Sequence, residues 1–328
     1  MSRLPTAAAV GYFGKIPSRG DFVKGGDNPA LIKVLDDWLA QAMDMLSADA
    51  RWKLHYDAVA PLHFAFIGPR RRQAIAGHIV ASADQSQRRF PFLMMSSIDV
   101  ADPAAFVADA PLVLNRLWNR LEALGAGLTG AADATDALQA AAGQVIELDL
   151  RASAYDAAFN DFLELHTVGA LDALLAQSGH RGAVRQILLA LGMLLHPVMA
   201  SSSSRLDKSL VLPLPGDPMY RNLVAAFWMH LIAPFLARAD FELALFITRL
   251  EQRPVLVLGF TGASAATLRA IMDPQAGAER HISFDQLDWV EQQVDADYAI
   301  KKLSTYLAQP TLSLTAARDS LCAAFIGT

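Results

Sequence analysis

The chain is poor in the residue types that announce chemistry. Its 328 residues include one cysteine, Cys322, which excludes an internal disulfide or a thiolate metal cluster and is read as a small buried hydrophobe. Positive charge is not in excess: the formal net charge is -5 and the pI about 5.9, so no field is available to gather phosphodiester backbones and nucleic acid is not an expected partner. Long apolar runs are missing too. The best, Leu223 to Ala237, carries His230 and Pro234, and Ile187 to Leu195 is shorter; neither reaches the ~20 residues of a bilayer span, so no direct membrane insertion is expected. The N-terminus shows no secretory h-region, which makes the cytoplasm the expected compartment. There is no Gly-x-Ser-x-Gly elbow, HExxH pair or paired-cysteine motif, and with them go the usual signs of a nucleophile or a metal cofactor. No catalytic, cofactor-binding or metal-ligating residue is therefore assigned, and no cofactor is expected.

What is present is a hydrophobic share of 53%, enough for a substantial core in two domains or one large one. Val10 to Phe13 reads as a short buried strand, ended by Gly14, Pro17 and Gly20. A helix follows: Asp27 or Asn28 can cap it, Pro29 suits its first turn, and Leu31, Leu35, Trp38, Leu39, Ala42 and Leu46 share a face. Leu62 to Ile67 and Ile75 to Ala81 form a hairpin with a basic tip at Arg70-Arg71-Arg72, and Phe92 to Ile98 adds a strand. His63 and His78 are placed to face each other across that hairpin, but no third ligand has suitable spacing, so they read as ordinary strand histidines.

A second helix centres on Asn115-Arg116-Leu117-Trp118. The Ala-rich stretch Gly125 to Gly143 is weakly patterned, and a boundary is placed near residue 140. Beyond it, Tyr155 to His196 is helical in three pieces, Ser201 to Ser204 is a loop, and Ser209 to Leu214 is a strand. Pro218 to Arg238 is an apolar helix. Glu242 to Thr248 and Pro254 to Phe260 form a hairpin, and Ser264 to Met272 and Asp285 to Leu307 are helices, the second broken near Asp295. The expected class is α/β, with α+β as the variant: a mostly antiparallel sheet with helices packed on it, then a helix-rich region with a second small sheet. The strand, helix, hairpin, helix order of the second half echoes the first.

The densest motif is Gly11-Tyr12-Phe13-Gly14-Lys15-Ile16-Pro17-Ser18-Arg19-Gly20-Asp21-Phe22-Val23. It is not a Walker loop, since Ile16 and Pro17 follow the lysine where Ser or Thr and a helix should begin. Arg19-Gly20-Asp21 matches an adhesion tripeptide by coincidence in a chain without a secretion signal. Phe13 and Phe22 are expected to anchor the loop in the core, with Lys15 and Arg19 at least partly exposed.

This segment resembles the opening signature of the TagF family of type VI secretion-associated proteins, Gly-aromatic-aromatic-Gly-Lys-Leu-Pro-x-x-Gly-Asp-Phe, with Ile16 in place of Leu. The helix around Leu35-Asp36-Asp37-Trp38-Leu39 is similar to the family's next helix. Asp84 through Arg89-Phe90-Pro91-Phe92 resembles its Asp…Gly-Arg-x-Phe-Pro-Leu segment, with Gln87 where the family pattern has Gly. Leu210 to Pro215 and Leu256 to Phe260 resemble later parts of longer members.

The resemblance implies a TagF-like N-terminal domain over residues 1–140 and a helix-rich C-terminal domain with a β-hairpin over 141–328. It further implies a non-catalytic, post-translational negative regulator of type VI secretion whose partner is a forkhead-associated scaffold protein. Gly14, Lys15, Pro17, Arg19, Gly20 and Asp21 are the candidate partner-binding loop, and Phe13, Phe22, Trp38, Phe90 and Pro91 its core anchors. Two other readings stand beside this one: an enzyme holding a phosphorylated ligand at the Gly14-Lys15 turn, and a structural assembly component of the apparatus.

Overall fold

A computed structural model describes residues 6–200, 206–237 and 240–327. The expected Ser201 to Ser204 loop and Arg238 lie outside the described residues. The first part of the chain forms β1 (Thr6–Ala9), β2 (Gly11–Gly14), β3 (Val23–Gly25), α1 (Pro29–Ser47), α2 (Trp52–Asp57), β4 (Leu62–Ile67), β5 (Gln73–Val80) and β6 (Phe92–Asp99). It continues through α3 (Pro103–Val113), α4 (Asn115–Gly130), α5 (Thr135–Ala142) and β7 (Val145–Leu148). Next come α6 (Asp156–Leu165), α7 (Val168–Gln177), α8 (Val184–Ala200), β8 (Ser209–Pro213), α9 (Pro218–Leu236), β9 (Leu243–Leu250) and β10 (Arg253–Gly259). The last elements are α10 (Ala265–Met272), α11 (Pro274–Arg280), β11 (His281–Ser283), α12 (Asp288–Ala296), α13 (Tyr298–Leu307) and α14 (Leu314–Phe325).

Local signals act as their chemistry requires. Asn28 accepts the Leu31 amide at the start of α1, where Pro29 loses no helical hydrogen bond. The predicted break in the late helix falls at Asp297, whose carboxylate accepts the amides of Ala299 and Ile300 and starts α13. Cys322, expected in the core, is only partly buried, because its neighbour Leu321 takes the inward position on α14.

The α/β class is as expected, but the strands are joined differently. Nine strands form one sheet in the order β11-β8-β10-β9-β4-β5-β6-β2-β3, antiparallel throughout except where β11 meets β8. The hairpin from beyond residue 141 does not make its own small sheet. It extends the first one, because β9 pairs antiparallel with β4, Phe64 opposite Phe246. Both strands are apolar on both faces and need cover on each side. The second, two-stranded sheet is made instead by β1 and β7.

One face of the large sheet packs under α1 and α10, around Leu35, Trp38, Phe64, Phe246 and Val257. The other face carries the larger core, with Trp118, Phe227 and Trp228 from α4 and α9. The indoles on this face are satisfied: Trp118 Nε1 donates to the Phe64 carbonyl at 3.0 Å, and Trp228 Nε1 to that of Pro213 at 2.8 Å. No helix among the described residues is long and apolar enough to cross a membrane.

His63 and His78 are register partners, with Nδ1 atoms 3.0 Å apart, and His63 stacks on Trp118. A single proton must lie between the two nitrogens, so charging both rings would set two donors against each other. No group of three or more His, Cys, Asp or Glu suited to a metal occurs among the described residues. Burial pushes both imidazoles well below the ordinary histidine value. A lowered folded value means the unfolded chain binds the extra protons first. The contribution of the pair is therefore complete above about pH 6.5 and is lost as pH falls through the folded values. Thermal melts between pH 6.5 and 4 are expected to show a decline of about 2 kcal/mol from this source. His63→Phe, which keeps the stack on Trp118, should flatten that decline; an unchanged slope would assign the acid sensitivity elsewhere.

Candidate functional site

The signature segments converge because of sheet register. β2 lies between β3 and β6, so Phe13 sits opposite Leu93 and Lys24, and Gly14 opposite Phe92 and Val23. Gly14 has φ +130, and a Cβ there would stand 2.1 Å from the Pro91 carbonyl oxygen. Only glycine allows that approach. The chain can then turn from β2 beneath the 84–92 segment.

Lys15 is buried, contrary to the expectation of exposure, and its Nζ lies 3.0 Å from the fully buried Asp84. The sequence neighbours of Lys15 do not reveal this, because its counter-ion comes from 69 positions away. Asp84 is saturated: Oδ1 accepts the amides of Ser86 and Arg88 at 2.9 Å, and Oδ2 accepts Arg88 Nε at 2.7 Å. Burial by itself would raise this carboxyl, but the Arg88 amide, the Lys15 ammonium and the Arg88 guanidinium outweigh it. They hold it well below the usual carboxylate range. Arg88 Nη2 also donates to the Gly20 carbonyl at 2.7 Å, and the Gln85 amide to that of Arg19 at 2.8 Å. Two loops are thereby tied through one carboxylate. Gln87 occupies the left-handed region at φ 61, the conformation for which the family pattern uses glycine.

Three aromatic rings cap this polar knot. Phe13 and Phe22 stack at 5.4 Å, and Phe90 meets both edge-on, at 5.9 and 4.9 Å. Phe13, Trp38, Phe90 and Pro91 are buried as expected. Phe22 is not: it is 43% exposed. Its inner side rests on Phe13 while the Lys15 ammonium stands 4.9 Å from its ring centroid, so one side of the ring is left to solvent. Pro17, Gly20 and Asp21 are exposed beside it. Arg19, partly exposed as expected, bonds to Thr135 Oγ1 and lies 3.4 Å from Asp133. The residues that sequence reasoning left out of the site are Asp84 and Arg88. The Asp…Arg spacing of the third resemblance was the available signal, although nothing in it tells that the pair reaches Lys15.

Chemically, the arrangement is closed. The Lys15 ammonium that a phosphate would require is committed to Asp84, and beside it an aromatic ring stands exposed on a braced support.

Comparison with known proteins gives three findings. Residues 11–145 match the TagF N-terminal domain, described as type VI secretion system-associated. No curated protein matches the chain. Among solved structures, the crystal structure of PA0076 from Pseudomonas aeruginosa PAO1 is similar at 28% identity over 41% of this chain and 62% of that one. This chain thus spans less than two thirds of PA0076, with a TM-score of 0.34.

Proposed function

We propose, for a chain whose residues 11–145 match the TagF N-terminal domain associated with type VI secretion, that it restrains that secretion after translation by binding, without catalysis, the forkhead-associated scaffold protein of the apparatus. The action is cytoplasmic and stoichiometric. The observation that carries the reading is the exposed ring of Phe22, held rigid by Phe13, Phe90 and the Lys15 ammonium. Pre-ordered aromatic side chains are typical anchors of protein interfaces, since little freedom is lost when a partner covers them. Arg19 and Asp21 form the polar rim, with Pro17 and Gly20 exposed beside them. Lys15 supports this surface from beneath rather than touching the partner.

The test uses Phe22→Ala in the intact protein. Capture of the forkhead-associated scaffold is expected to weaken at least about tenfold, or ~1.4 kcal/mol, while stability falls by only about 1 kcal/mol through the lost stacking. Overproduction of the wild type should lower secretion at constant transcript levels, in proportion to the amount of protein, and the variant should not. Undiminished capture by a folded Phe22→Ala protein would remove the surface. Repression far below the abundance of the partner would favour an enzyme.

A further inference from the structure

At the other end of the large sheet, away from Phe22, lies a cleft of about 460 Å³ that no part of the signature touches. Its volume is that of a small-molecule site. Val211, Val255 and Leu250 line it from the sheet, Ile271 and Met272 from α10, and Val59 from the turn before β4. Both sides of the residue 140 boundary thus contribute a wall.

Arg249 and Arg253 both line it, and the Arg253 guanidinium is held by two carboxylates. Arg253 Nη1 donates to Asp285 Oδ2, and Nη2 donates to Glu251 Oε2 at 2.8 Å. The two acceptors differ in how they are held. Asp285, 15% exposed, also accepts the Arg181 amide at 3.2 Å and lies 3.5 Å from His180 Nδ1. Glu251 is 75% exposed and belongs to the two-residue turn of the β9–β10 hairpin, with φ of 50 at Glu251 and 65 at Gln252. A buried, multiply bonded carboxylate is expensive to move, whereas an exposed ion pair contributes little and is readily exchanged.

We propose that this cleft binds small carboxylic acids with an apolar body. The ligand carboxylate takes the place of Glu251 on Arg253 Nη2, and its hydrocarbon chain lies over Val211, Val255 and Met272. The exchange leaves the charge around the guanidinium unchanged, since one carboxylate replaces another and Glu251 moves into water. The apolar walls then supply the net gain, because Glu251 itself cannot fill them. The inference is independent of the secretion reading.

Calorimetric titration of the intact protein with octanoate and with octanol tests it. Octanoate is expected to bind with a Kd of about 1 mM or below, and octanol at least about tenfold more weakly. Glu251→Gln removes the competing carboxylate and should tighten octanoate several-fold; Arg253→Gln should weaken it at least about tenfold. Arg253→Gln also deprives Asp285 of a partner, so Met272→Trp serves as a second variant. It fills the cleft, leaves the ion pairs in place and should abolish binding. Equal affinities for octanoate and octanol would overturn the proposal. So would an absence of binding by both the wild type and Glu251→Gln, or full binding by a folded Met272→Trp protein.

Discussion

Lys15→Ala is expected to destabilise the protein by about 2–3 kcal/mol at neutral pH, a larger loss than any exposed basic residue would cause. The reason is the asymmetry of buried ion pairs: removing one partner leaves the other desolvated and poorly compensated. Arg88 keeps its bonds to Asp84, which holds the loss below that of a fully orphaned carboxylate. The loss should also depend on pH in a defined sense. The Asp84 carboxyl is depressed in the folded wild type, so its contribution is present above the ordinary carboxylate value of about 4 and disappears as pH falls through the folded value. Without Lys15 the depression is weaker. The difference between wild type and variant should therefore be greatest at pH 7 and shrink below about pH 4. Denaturant melts of both proteins across that range measure it, and a difference independent of pH would mean that Lys15 acts through packing alone.

A fragment ending at residue 145 is expected not to survive as a monomer. The cut removes β9 from β4, exposing the backbone groups that His63 to Ile67 share with Leu243 to Ile247, and an apolar central strand becomes an edge. It also strips Phe246 from Trp38 and Phe66, which lie 6.4 Å from it by ring centroid. Several large side chains uncovered at about 1.5–3 kcal/mol each compare with the whole stability of a domain, about 5–15 kcal/mol. The fragment should appear in inclusion bodies, or in solution as a dimer paired through β4. Co-expression with residues 146–328 should restore a soluble one-to-one complex. A stable monomeric fragment by sedimentation would show that the β4 edge is tolerated and that the first 145 residues fold alone.

Local features were legible and distant ones were not. The α1 helix announced itself through Asn28, Pro29 and a repeating apolar face, and both hairpins through short apolar runs around turns. Gly14 was recognisable as a residue needed for its backbone. The short strands β3 and β11 have too few residues to establish a period. The pairing of β4 with β9 joins segments some 180 positions apart, and neither pattern carries information about the other. Lys15 and Phe22 were misplaced for the same reason. Composition favours a lysine outside and a phenylalanine inside, but Asp84, delivered by a different strand connection, reverses both: it draws the cation in and leaves the ring as its lid.

The unbroken sheet also fixes a distance. Six strand spacings separate β3 from β10, and at ~4.8 Å per spacing the two lie on the order of 30 Å apart. That exceeds the reach of direct contact and also the screening length of physiological salt, about 8 Å. Charges placed beside Phe22 and beside Arg253 are therefore largely screened from each other. On the two proposals above, one continuous sheet carries separate fittings at its two ends. The β4–β9 seam lies on the path through the sheet between them. If the seam does not yield, the ends answer independently, and defects placed at both will simply add.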